Sequence, residues 1–190
     1  MIPAGFLLKR VVPPPGWLAP SLSHISDVCS VADCVNDNVV DPQAKWRHNS
    51  FGLANTAEDL WSLARDEGAQ TTDAKLFYYT AYELELESDG WVFDPGDWRP
   101  RSPAPSDVGD HVEQPSSESL TLLGYDVVVF GDFLEHSPLS CNSIAQDLVV
   151  NEHCLFDDLS EARNAIDAGK FGGGCEEGAY TIFSVSVVRY

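Results

Sequence analysis

Val127-Val128-Val129-Phe130 is apolar at four successive positions. Successive side chains of a strand point to opposite faces, so this run demands cover on both sides. A chain carrying it must build a sheet with a layer above and a layer below. The surrounding stretch, Leu120 to Tyr190, supplies the parts. It reads as a strand at Tyr125–Phe130, a polar turn at Ser137–Asn142, a helix at Asp158–Ala168 and a strand at Ala179–Arg189. Asp158 with Glu161 three residues on has capping-box spacing, Leu159, Ala162 and Ile166 give one apolar face, and Gly169 is a natural stop. In the last strand Phe183, Val185 and Val187 alternate with Ser184 and Ser186.

The N-terminal part adds a strand at Phe6–Val12 and a stiff turn through Pro13, Pro14, Pro15 and Pro20. Ile25, Val28, Cys29 and Ala32 recur at helical spacing and predict an amphipathic helix over Ser21–Val35. Asn36–Pro42 reads as a loop, and Lys45–Phe51 as a strand end or a partner-facing loop. Thr56 caps a second helix from Ala57 to about Asp66, closed by Gly68. Leu76–Ser88 alternates as a strand with Leu76, Tyr78, Thr80, Tyr82, Leu84 and Leu86 on one face. Its other face carries Phe77, Tyr79 and Ala81, then Glu83, Glu85 and Glu87. From Asp94 to Ser119 prolines recur, long for a connection inside a compact unit. The division is therefore 1–94, a linker or surface loop at 95–119, and 120–190, or one domain spanning all three. No internal repeat is visible. The fold expected is α+β, a mostly antiparallel sheet with about three short helices packed on it.

Charge narrows the functions. Thirty acids against eleven Lys and Arg give a formal net charge of −19. Between Arg101 and Arg163 there are twelve acids and no Lys or Arg; between Lys75 and Arg99 there are six and none. Phosphate contacts need Lys and Arg to displace counterions, so nucleic acid is an unfavoured partner, and anionic lipid is too. No apolar run reaches the ~18 residues needed to span a bilayer. A basic protein partner is favoured, since opposite potentials raise association rates and reject wrong partners. Five cysteines without regular spacing fit a reducing cytoplasm better than a disulfide framework.

Residues that could carry chemistry are few. His136, Cys141, His153, Cys154 and Cys175 are zinc-type ligands, but they form no CxxC pair, and the adjacent His153 and Cys154 would point to opposite sides of a strand. No metal and no cofactor are expected. Cys141, ahead of a short helix at Ser143–Asp147, is a candidate thiol nucleophile, with Asn142 reading equally well as an N-cap. Asp126, Asp132 and Glu135 are acid pairs of a kind common by chance in so acidic a chain. Gly172-Gly173-Gly174 beside Lys170 lacks the order of a phosphate loop.

Size, charge and the Tyr79, Glu83, Glu85, Glu87 face together make a chain that resembles the small acidic immunity proteins of bacterial toxin systems. The resemblance implies a cytoplasmic inhibitor that covers a cognate basic toxin domain, and it carries over no residue by motif. The partner-binding residues read from this chain are Tyr79, Glu83, Glu85, Glu87, Asp89, Trp91 and Trp98, aromatic anchors among carboxylates. The alternative is a small hydrolase or transferase using Cys141 or a carboxylate pair.

Overall fold

The computed structural model describes residues 2–18, 22–32, 35, 37–45, 47–49, 51–82, 111–130, 134–171 and 179–189. Six strands form one antiparallel sheet: β1 (Ile2–Arg10), β2 (Asp37–Asn38), β3 (Ala74–Tyr82), β4 (Leu120–Phe130), β5 (Leu134–His136) and β6 (Ala179–Val188). Their order is β2-β1-β3-β6-β4-β5. Helices α1 (Ala57–Glu67), α2 (Pro138–Cys141) and α3 (Leu159–Asp167) complete an α+β fold, as the sequence leads one to expect. β3 comes from one side of the proline-rich stretch and β6 from the other, and they pair from Phe77↔Val187 to Tyr82↔Ile182. The two halves thus share one sheet.

Alternation along β3 sets the two faces. Phe77, Tyr79 and Ala81 pack with Leu7, Val128, Phe183 and Val185 against Cys29, Val31, Phe51, Leu53 and Leu155 from the loops. On the opposite face Phe6, Leu8, Leu76 and Tyr78 meet Leu60, Leu63 and Ala64 of α1. Val127, Val129, Tyr180 and Ile182 lie in one cluster with Ala162, Ala165 and Ile166 of α3. Val127, Val128 and Val129 are at most 1 % exposed, the double burial that the Val127–Phe130 run demands.

The helix expected over Ser21–Val35 does not form among the described residues of that segment. Residues 22–32 run as an irregular strap. Its backbone donors go outward instead of to the residue four back: Ser26 and Asp27 N–H to the Glu152 carbonyl, Cys29 N–H to that of His153, and Val28 N–H to that of Val12. The helical spacing of Ile25, Val28, Cys29 and Ala32 is real, but it reflects burial. Ile25 and Val28 enter the α3-side cluster while Cys29 and Val31 enter the other.

The two halves repeat one plan that their sequences do not show. In each, a strand carries a bulge ending at a glycine, Gly5 in β1 and Gly124 in β4. Each glycine sits under a loop opened by an asparagine. Asn49 donates to the carbonyl of Ala4 and to Asn55, and its Oδ1 accepts the N–H of Phe51 and Leu53. Asn151 donates to the carbonyl of Leu123 and to Asp157, and accepts the N–H of His153 and Leu155. A lone bridge follows in each half, Phe6↔Ala54 and Tyr125↔Phe156. Then comes a capped helix and a second strand. Gly5 pairs with Tyr79, Tyr79 with Val185, and Val185 with Gly124, so a pseudo-twofold axis passes between Tyr79 and Val185.

Helix starts follow the sequence closely. Thr56 and Asp158 each accept the N–H three residues on, from Asp59 and Glu161. Gly68 closes α1 with φ 63°. The Ser160 hydroxyl and the Glu161 N–H hold the Asp158 carboxyl below its ordinary range. A depressed carboxyl contributes stability that is present at neutral pH and lost as pH falls through its folded-state value. Asp158→Ala is therefore expected to destabilise the protein at pH 7, with the gap to wild type closing in acid. Urea unfolding at stepped pH reads this, and a gap independent of pH would contradict it.

Candidate functional site

The anchors expected from the sequence are not where a partner could reach them, or lie outside the described residues. Tyr79 is 0 % exposed, beneath Phe77 and the strap, and so is a core residue and not a surface anchor. Alternation placed it correctly on the face of Phe77, but loops bury that face too. Glu83, Glu85, Glu87, Asp89, Trp91 and Trp98 lie outside the described residues.

The Cys and His set does not assemble among the described residues. Cys154, at φ 59°, sits in a turn and not on a strand, and donates its thiol to the Leu139 carbonyl at 3.3 Å. Burial, with the Asp126 charge behind it, pushes that thiol up to about 12. Its neighbour His153 goes instead to Asp27. Cys141 is disulfide-bonded, which removes it as a thiol nucleophile and runs against the reading of uniformly reduced cysteines. The turn after it is capped by Asn142 Oδ1 on the Ile144 N–H. Cys175 lies outside the described residues.

Asp126, read as a chance acid, is buried and structural. It accepts the Ser137 hydroxyl at 2.5 Å, the Ser30 hydroxyl at 2.9 Å and the Val31 N–H at 2.8 Å. Desolvation raises its carboxyl above the usual range, against those three bonds and the Lys9 charge, which pull it down. Lys9, 1 % exposed, points its ammonium at the carbonyls of Ser30, Val31 and Ala32, at 2.9, 3.2 and 3.1 Å. A base in β1 and an acid in β4 thus clamp the strap onto the sheet, Lys9 through Ser30, Val31 and Ala32 and Asp126 through Ser30 and Val31.

Where the strap meets the Asn151 loop, three chemically active groups converge. His153 Nδ1 stands 2.6 Å from Asp27 Oδ1, and the Cys29 thiol donates to that same oxygen at 3.4 Å. All three groups offer ligand-type atoms within 4.8 Å of one another, the one such set among the described residues. Cys29 is buried, while the side chains of Asp27 and His153 are 24 % and 22 % exposed, so the cluster opens to solvent on one side. Burial pushes the Cys29 thiol far up, and the Asp27 charge and hydrogen bond add to that; Lys75 and Lys9 oppose it more weakly. A thiol held protonated in this way is a hydrogen-bond donor and not a nucleophile.

Asp27 and His153 are 126 positions apart, and no spacing rule links them. The one sequence signal was the set of types: a Cys beside an acid, and a His in an Asn-led turn. Two of the large apolar side chains that stay exposed are Trp17 at 51 % and Val149 at 79 %. The Trp17 carbonyl accepts from Gln146 at 2.7 Å, tying the proline turn to the segment that carries Val149. Comparison with protein-family models, with curated proteins and with solved structures finds no match to this chain.

Proposed function

We propose that this chain is a binding protein that covers a basic protein partner, in the manner of an immunity protein blocking a toxin domain. The observation that carries the reading is charge left over after the molecule has satisfied itself. Among the described residues Arg10, Lys45, Arg47 and Arg65 are taken up by Asp37, Glu67, Asp66 and Glu58. Lys9 is spent on the strap. Five of the eleven Lys and Arg are thus engaged within the molecule, and the chain as a whole carries nineteen negative charges in excess. The docking centre we favour is the surface around Trp17 and Val149, with Asp147, Glu152, Asp157, Asp158 and Glu161 exposed near it in sequence. An exposed aromatic anchor on a chain rich in exposed carboxylates suits a partner rich in Lys and Arg. Glu83, Glu85 and Glu87, outside the described residues, remain part of the same proposal as acidic partner-binding residues.

The compartment we propose is the cytoplasm, for which the free thiols of Cys29 and Cys154 speak; the disulfide at Cys141 weighs the other way. Among the described residues no helix is long and apolar enough to cross a membrane.

The test titrates the chain with purified basic protein domains, any candidate toxin domain first, from about 50 to about 500 mM salt, roughly a threefold change in screening length. Affinity is expected to fall steeply with salt, and Trp17→Ala to weaken binding by about 2 kcal/mol. Replacing Glu83, Glu85 and Glu87 with Lys is expected to weaken binding and flatten the salt slope. Salt-independent affinity would end this reading.

A further inference from the structure

We propose that Asp27 Oδ1, Cys29 Sγ and His153 Nδ1 form the binding site of a single borderline-soft divalent cation of the zinc class. Thiolate, imidazole and carboxylate are the three donor types such an ion takes, and three protein ligands with an open fourth position is a common arrangement. Metal–ligand lengths of about 2.0–2.3 Å place neighbouring tetrahedral ligands roughly 3.4 Å apart. The Cys29–Asp27 separation of 3.4 Å already matches, and the 2.6 Å between His153 and Asp27 has to open by less than an ångström.

The frame holding these groups is rigid and independent of the ion. Ser26, Asp27 and Cys29 are tied by backbone bonds to Glu152 and His153. The loop is fixed from behind by Asn151, whose Oδ1 takes the His153 N–H at 3.0 Å. On the far side of the ring, His153 Nε2 stands 3.9 Å from Glu152 Oε1, a charge contact too long for a hydrogen bond. The solvent-open side left by Asp27 and His153 gives the ion an entry path and room for a water or an outside ligand.

On binding, Cys29 exchanges its S–H bond for an S–metal bond and releases one proton to solvent. His153 Nδ1 changes from hydrogen-bond partner to ligand, its proton carried on Nε2. No electron is transferred. The ion would staple the strap to the Asn151 loop, and the site stands whether or not the surface around Trp17 and Val149 docks a partner.

Titration of the chelator-treated, full-length chain with Zn²⁺ and with Co²⁺ tests this. The expected result is one ion per chain, release of a proton, and a thiolate-to-Co²⁺ charge-transfer band. Cys29→Ser and His153→Ala are each expected to weaken binding by at least about 100-fold. Cys154→Ser, whose thiol faces Leu139, is expected to keep both the stoichiometry and the band. The band in wild type reads the site even if a ligand variant fails to fold. No uptake at micromolar metal, uptake without the band, or a band that survives Cys29→Ser would overturn the assignment.

Discussion

Lys9→Met is expected to lower the stability of this protein by about 3–5 kcal/mol, the range for stripping one partner from a buried charged network. The side chain that replaces it has similar length and no donors. The carbonyls of Ser30, Val31 and Ala32 then lose their shared cation, and Asp126 loses a positive charge that offsets part of the burial raising its carboxyl. Asp126→Asn attacks the clamp from the other side. An amide cannot accept at both ends, so either the Ser137 hydroxyl or the pair Ser30 hydroxyl and Val31 N–H faces a donor. Because both residues act on Ser30 and Val31, the double variant is expected to cost less than the sum of the singles. Urea midpoints of the four proteins measure this. A Lys9→Met cost below about 1 kcal/mol, within the range of an exposed ion pair, would mean the strap is held by its apolar contacts alone.

Gly124→Ala is the second large effect. A Cβ there would lie 2.6 Å from the Phe156 carbonyl oxygen, 2.8 Å from Leu155 Cβ and 2.9 Å from Asn151 Nδ2. The backbone at φ +149° is a conformation that side chains resist in any case. Strain and overpacking each cost about 1–3 kcal/mol, so a loss of roughly 3 kcal/mol or more is expected. Gly5→Ala should behave alike, its Cβ falling 2.5 Å from the Ala54 carbonyl oxygen. Gly68→Ala is the comparison: φ is +63° but nothing lies within 4 Å of the new atom, so about 1 kcal/mol is expected. Thermal or urea unfolding of the three variants separates steric clash from backbone strain. Equal losses at Gly68 and Gly124 would show that the loop does not press on β4.

Much of the architecture can be read from local pattern, and the exceptions have physical causes. Thr56, Gly68 and Asp158 mark α1 and α3 because capping is decided within four residues. β6 is legible as alternation. β4 begins at Leu120, earlier than the Tyr125 start expected, because Leu120, Thr121 and Leu122 pair with Val188, Val187 and Ser186 although Leu122 is itself exposed. The strap is the plain failure. Its period matched a helix, yet Lys9, Asp126 and the Glu152 and His153 carbonyls offered its backbone better partners from far along the chain. Tyr79 fails for a related reason: alternation assigns a face but not what covers it. Asp27, Cys29 and His153 were beyond reach because only the tertiary pairing of strap and loop makes them neighbours. The repeat stayed hidden because the plan is kept by two glycines, two asparagines and two caps, while the apolar positions between them differ freely.

The arrangement of β6 has a consequence for assembly. It is the last strand in chain order, yet it lies in the interior of the sheet with β3 on one side and β4 on the other. Until β6 is made, β3 and β4 each expose a row of unmatched amides and carbonyls, the kind of edge that recruits foreign strands. The closing step joins residues about a hundred positions apart and waits on a long loop entropy. The carboxylates that give this molecule its charge would then serve a second purpose, keeping half-built copies away from one another while the centre of the sheet is still vacant.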